Sequence, residues 1–209
     1  LYGNNPAGYH LLNLLLHLGS GLLVYRILTR AVTEEARHVP FWTALLFLIH
    51  PIQTETVTYI SGRASGLMAF CYLLALLLYI KESEDTSSHV IRRVYRAGAV
   101  LSFILSVASK EPAVTFQLAL LLWDVVVRRL SGASLRATVL SHHLPFWLVV
   151  TGAGILAWQH PRYTDLAQFS LGIRPLWDNL LSELHAVIYA ARLFVCPWKQ
   201  SFDHDLPNF

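Results

Sequence analysis

The first 25 residues contain no Asp, Glu, Lys or Arg, and further long apolar stretches almost free of charge follow along the chain. One helical crossing of a hydrocarbon core about 30 Å thick takes about 20 mostly apolar residues. Across all 209 residues only 14% are charged and 55% are hydrophobic, with a mean hydropathy of +0.47. Soluble domains carry about 25% charged and about 45–50% apolar residues, so this chain lacks the charged surface that a soluble enzyme of its size needs. Disorder requires the opposite composition. The net charge is only +3, which does not point to nucleic acid. In a membrane chain, excess Lys and Arg reports loop orientation. Cys71 and Cys196 alone make neither a disulfide framework nor a zinc site. The chain reads as an all-α polytopic membrane protein, one transmembrane domain over residues 1–209. Its start has no Met and no basic stretch ahead of an apolar core, so no signal peptide is visible. Residues 1–6 read as a loop, and the chain is expected to be a fragment or reduced form of something longer.

About six spanning helices are expected, over residues 8–28, 39–54, 64–80, 97–109, 112–127 and 137–161. Pro51 should end the second near His50. Residues 180–195 differ. Glu183 and Arg192 interrupt them, while Leu180, Leu184, Val187, Ile188, Ala191 and Val195 recur at helical spacing. That pattern fits an amphipathic helix lying at the interface.

The loops after the odd spans hold Arg26, Arg30 and Arg37, then Lys81, Arg92, Arg93 and Arg96, then Arg128, Arg129 and Arg136. Those after the even spans hold Arg63, then Lys110, then Arg162 and Arg174. Ten against four places the odd loops in the cytoplasm. The amino terminus and residues 50–63, 109–112 and 160–179 then share the outer or lumenal side of a bacterial inner membrane or an endoplasmic reticulum membrane. The same count favours a hairpin at Lys110-Glu111 over one broken helix. Residues 82–89 read as a plain polar cytoplasmic loop.

Three polar clusters fall on that outer side. They are His50 to Glu55 with Ser61-Gly62-Arg63, then Ser109-Lys110-Glu111-Pro112, then His10, Asn13 and His17 on the first span. An ionisable group at a helix centre in the bilayer costs at least about 2.5–3.5 kcal/mol and is rarely kept without a partner. Arg63 and Lys110 suit a phosphate, the first as a planar bidentate donor and the second as a point charge. Glu55 and Glu111 are placed to orient them, bind a sugar hydroxyl or help hold a divalent ion. The plainer alternative is that these charges only anchor helix ends. His10 and His17 share one helix face, where interhelical hydrogen bonding is a commoner use than ligation of haem or chlorophyll. Asp203-His204-Asp205 is metal-capable but isolated. Tyr79, His142 and His143, with Trp42, Tyr59, Trp147, Trp158 and Tyr163, read as part of an aromatic belt.

These residues resemble a family. Gly8-Tyr9-His10-Leu11-Leu12-Asn13-Leu14-Leu15-Leu16-His17 is similar to the second-span signature of membrane glycosyltransferases that carry tetratricopeptide repeats. His50-Pro51-Ile52-Gln53-Thr54-Glu55-Thr56-Val57, with Ile60-Ser61-Gly62-Arg63-Ala64, resembles the family's His-Pro-x-x-Thr-Glu-x-Val and Ser-Gly-Arg segments. Ser109-Lys110-Glu111-Pro112, continuing to Leu122-Trp123-Asp124, resembles its Ser-Lys-Glu and Leu-Leu-x-Asp segments. Cys196-Pro197-Trp198 to Asp205-Leu206-Pro207 resembles a later stretch more loosely.

The resemblance implies a GT-C type fold, related to protein O-mannosyltransferases. It also implies transfer of a sugar from a polyprenyl-phosphate carrier to a hydroxyl on the outer side. His50, Glu55, Arg63, Lys110 and Glu111 would line the substrate pocket, with Arg63 and Lys110 facing the carrier phosphate. His10, Asn13 and His17 would be structural.

Two departures stand out. The family's acidic catalytic loop lies upstream of the position of Leu1, so the general base is expected there. The Asp that usually follows Ser-Gly-Arg one residue later is missing, and Ser65-Gly66 stands there. The carboxyl-terminal repeats are absent from this chain as well. Beside the transferase reading, with membrane lipid, lipid-linked sugar and a protein acceptor as partners, stands a non-catalytic membrane subunit of a larger complex. A haem- or chlorophyll-binding protein using His10, His17 or His185 ranks third.

Overall fold

The computed structural model describes residues 6–59, 62–85, 88–173 and 175–197. Every regular element among them is helical. They are α1 (Pro6–Leu28), α2 (Val39–Ile49), α3 (Thr54–Thr58), α4 (Arg63–Glu84), α5 (His89–Ser109), α6 (Phe116–Leu122), α7 (Gly132–Thr138), α8 (Leu144–Gln159), α9 (Pro161–Ile173) and α10 (Leu176–Val195). The contacts divide the chain into two compact units, the first ending at Thr151 and the second starting at Gly152.

In the first unit α1 and α4 run parallel. Arg63 lies over the Tyr9 ring at one end, Gly66 meets Leu16 and Gly19 meets Phe70 in between, and Arg30 pairs with Glu84 at the other end. A parallel pair needs a return segment, and α2 supplies it. A Cβ on Gly21 of α1 would come within 2.5 Å of Leu48 Cδ2, so the glycine is what lets α2 pack so closely. α5 is antiparallel to α4, with Ser106 Oγ donating to the Met68 carbonyl and Arg96 bonding Glu82. Phe103 and Phe116 stack with ring centres 4.7 Å apart. Thirteen residues of continuous helix would separate them by about 20 Å, so the chain reverses around Lys110, as the loop charges implied. Phe146 of α8 closes the core, 5.6 Å from Phe103 and 5.2 Å from Phe116.

Outside this aromatic core the surface is apolar. Leu15, Leu22, Leu46, Leu118 and Leu148 all stand exposed, the reverse of a soluble surface and what a lipid-facing helix presents. Among the described residues, three helical stretches are long and apolar enough to cross a membrane, namely Ala7–Leu28, Arg63–Glu84 and Gly132–Gln159. The second expected span forms differently. Pro51 lacks an N–H and biases the preceding residue away from helix, so α2 stops at Ile49 after 11 residues. It is about 16 Å long, half of the bilayer core. α5 is continuous over 21 residues with Arg92, Arg93 and Arg96 in its early turns, and the fifth stretch is broken into the turn Glu111–Thr115, α6 and the π-helical Trp123–Val127.

The second unit holds the end of α8 with α9 and α10. No residue of α10 is buried, and Leu180, Leu184, Val187 and Ile188 leave its apolar stripe open. Leu1, Ile60, Ser61, Arg174, Trp198 and Asp203-His204-Asp205 lie outside the described residues.

Candidate functional site

The site starts from a helix break. Ending α2 at Ile49 frees carbonyls that buried backbone cannot leave unpaired. One side chain of α1 takes up an α2 carbonyl, and a second holds the carbonyls at the end of α3. His17 Nε2 bonds the Leu48 carbonyl at 3.0 Å, and Asn13 Nδ2 donates to the carbonyls of Tyr59 at 2.9 Å and Val57 at 3.4 Å. Both side chains are buried. His17 thus makes the interhelical bond, and its ring also stacks on Phe47. Between these anchors His50 Nδ1 accepts from the Ile52 N–H, capping the turn Pro51–Gln53 that leads into α3. His17 lies 11 residues along α1 from Pro6, about 16 Å at 1.5 Å per residue. The break is therefore recessed well below the first residue of α1, where irregular backbone persists only if buried or lining a cavity.

Gly62 closes the loop back onto itself. Its N–H donates to the Tyr59 carbonyl, and a Cβ there would sit 2.7 Å from the Glu55 carbonyl oxygen and 2.9 Å from that of Thr56. Arg63 follows at once as the first residue of α4, its guanidinium carbon 5.0 Å from the centre of the Tyr9 ring. Lys110 arrives from the α5 hairpin and donates from Nζ to Ser65 Oγ at 2.8 Å. The hydroxyl of Ser65 thus occupies the place where the resemblance leads one to expect a carboxylate.

Of the sequence-expected residues, Glu55, Arg63 and Lys110 gather around the start of α4, with Glu111 next to Lys110. Neither Arg63 nor Lys110 pairs with a carboxylate among the described residues, and Glu55 and Glu111 are exposed without an ion pair there. His10, one turn before Asn13, is exposed. No group of three His, Cys, Asp or Glu able to hold a metal occurs among the described residues.

The opposite end of the unit holds a polar network that the sequence reading missed. Asp124 accepts from the Tyr79 hydroxyl at 2.7 Å, bonds His143 Nε2 at 2.8 Å and pairs with Arg128 at 2.8 Å. Glu82 pairs with Arg96 at 2.7 Å and lies 3.2 Å from His142 Nδ1. Tyr79, His142 and His143 are therefore not belt residues. Glu82 is helix rather than loop, because α4 continues to Glu84 and turns it into the interior, 3% exposed. The available signals were local: Tyr79 and Glu82 three apart on one face, Asp124 and Arg128 four apart. All these groups are paired inside the fold, which fits a structural role.

No family model and no solved structure matches the chain. Curated proteins do. Protein O-mannosyl-transferase Tmtc2 of Drosophila melanogaster is 31% identical over 212 residues, which cover 96% of this chain and 22% of that protein. Protein O-mannosyl-transferase F38B6.6 of Caenorhabditis elegans is 24% identical over 99% of this chain and 28% of its own length. Protein O-mannosyl-transferase TMTC2 of Mus musculus is 28% identical over 96% of this chain and 26% of its own length. The chain thus spans between 22% and 28% of the length of these relatives.

Proposed function

We propose, because this chain belongs to the family of those protein O-mannosyl-transferases, that it forms a central membrane part of an enzyme moving a sugar from a polyprenyl-phosphate carrier to a protein hydroxyl. The observation that carries the proposal is that Arg63, the first residue of α4, and Lys110, bonded to Ser65 two residues further on, both lack a carboxylate partner among the described residues at the start of α4, beside a recessed helix break. The acceptor oxygen attacks the anomeric carbon of the sugar, the carbon–oxygen bond to the phosphate breaks, and the carrier phosphate leaves with the electron pair. Negative charge grows on that phosphate. Fixed donors at this position stabilise the transition state more than the ground state. Arg63 supplies a planar fork and Lys110 a point charge. His50, Glu55 and Glu111 line the sugar, and a general base of the intact enzyme takes the hydroxyl proton.

The site faces the outer or lumenal side, supported by the loop charges and by the parallel run of α1 and α4 with α5 opposed to them. Six crossings, with residues 180–195 as an interfacial helix on the outer surface, belong to the same proposal. A non-catalytic subunit is the second reading, favoured by Ser65 standing where the family resemblance leads to Asp.

Sugar transfer from polyprenyl-phosphate mannose to an acceptor peptide tests the first reading in the intact protein. Activity lowered at least about 100-fold, in the range known for loss of one transition-state donor, is expected for Arg63→Ala and for Lys110→Ala. Activity unaffected by either substitution would refute the assignment.

A further inference from the structure

Arg92, Arg93 and Arg96 follow one another in the early turns of α5, at the far end of the bundle from Arg63 and Lys110. With Glu82 and His89 they line a pocket of about 190 Å³. Arg96 is committed, to Glu82 at 2.7 Å and to His142 at 2.8 Å. Arg92 and Arg93 have no ion pair among the described residues, and Arg92 Nε is buried without a hydrogen-bond partner. A buried donor left unmade is costly, so this position favours an acceptor from outside the chain. Three guanidinium groups face one carboxylate, so the acceptor is anionic.

A second cavity of about 470 Å³ shares Arg93 and Arg96 with the first and continues along Ala97, Val100, Leu101 and Ile104 to Pro145. Positions 93, 96/97, 100 and 104 form one helix stripe, about 16 Å long from Arg93 to Ile104. Within that length the lining changes from guanidinium to wholly apolar. A soluble phosphate has nothing to place in the apolar half. A peptide would bring backbone donors that the groove cannot satisfy. A molecule with an anionic head joined to a hydrocarbon chain matches both halves, and basic pockets between membrane helices take such headgroups.

We infer that this continuous pocket and groove is a binding site for an anionic glycerophospholipid, with its phosphate at Arg92 and Arg93 and an acyl chain along Ala97 to Ile104. The inference uses none of the residues assigned to the sugar carrier and holds for either orientation of the chain.

Native mass spectrometry of the intact protein, released from phosphatidylcholine nanodiscs with and without phosphatidylserine, reads the site directly. One phosphatidylserine retained in preference to phosphatidylcholine is expected. Each surface guanidinium is worth roughly fivefold in anionic-lipid binding, so Arg92→Gln with Arg93→Gln should lower that preference about 30-fold. Ala97→Trp, at an exposed position in the groove, should weaken lipid retention without altering charge. Should the double variant fail to fold, Ala97→Trp decides alone. Equal retention of the two lipids by the wild type would overturn the inference. So would an unchanged preference in the folded variants, or displacement of the lipid by soluble glycerophosphoserine as readily as by phosphatidylserine.

Discussion

The hydroxyl of Tyr79 donates to Asp124 Oδ2 at 2.7 Å, with both side chains withdrawn from the surface. Through His143 the same carboxylate also ties the segment after α6 to the residue just before α8, and Arg128 pairs with it one turn further along its own segment. A buried carboxylate that accepts three bonds becomes a liability as soon as its partners go. Tyr79→Phe removes one bond and should cost about 1–2 kcal/mol. Asp124→Ala strands both Arg128 and His143 and should cost about 3–5 kcal/mol. Thermal unfolding of the purified variants in detergent checks the order, and a Tyr79→Phe protein as unstable as Asp124→Ala would show that the network is not shared in this way.

Gly62 separates backbone tolerance from site geometry. Alanine there would press its Cβ to 2.7 Å from the Glu55 carbonyl oxygen, whereas alanine at Gly66 meets Thr56 Cγ2 at an ordinary 3.5 Å. Gly62→Ala should therefore shift Arg63 and lower transfer about 100-fold, the scale expected for a misplacement near 1 Å. Gly66→Ala should leave transfer within about twofold. Equal effects of the two substitutions would contradict a loop folded tightly onto α4.

Asn13→Leu keeps the helix and the branched side-chain shape but removes the amide donor from the Val57 carbonyl and leaves the Tyr59 carbonyl with only the Gly62 N–H. A loss of about 1–3 kcal/mol is expected. Hydrogen exchange should show the amides of residues 50–59 opening while those of α5 stay protected. Uniform loss of protection would mean that Asn13 serves the whole bundle rather than this segment.

The proposed orientation can be read with a membrane-impermeant maleimide, in a protein whose Cys71 and Cys196 have been replaced. Glu55→Cys should label from the outer or lumenal side and Arg129→Cys from the cytoplasmic side, both positions being exposed or partly so. Labelling of both from one side would remove the basis of the loop-charge assignment.

How far the sequence reached can be seen in single elements. The runs that became α1 and α4 were legible because uncharged apolar stretches of that length have few other folds in water or lipid. The break at His50-Pro51 was legible because proline removes a donor. Its depth was not legible, since that depends on Asn13 and His17 catching carbonyls more than 30 residues away. Lys110 was identified as a candidate from its residue type, yet its contact with Ser65 follows only from the antiparallel register of α4 and α5. Glu82 was hidden by composition. Followed by Ser83, Glu84 and Asp85 it looks like loop, and only Arg96 and His142 on other helices keep it inside.

Binding of polyprenyl phosphate against polyprenol to the intact protein tests the central claim most directly, because the two ligands differ only in the group assigned to Arg63 and Lys110. The phosphate form should bind at least about 10-fold more tightly to the wild type, and Arg63→Gln with Lys110→Gln should erase that difference while leaving polyprenol binding unchanged. Equal affinity for the two ligands in the wild type, or a phosphate preference that survives both substitutions, would contradict it.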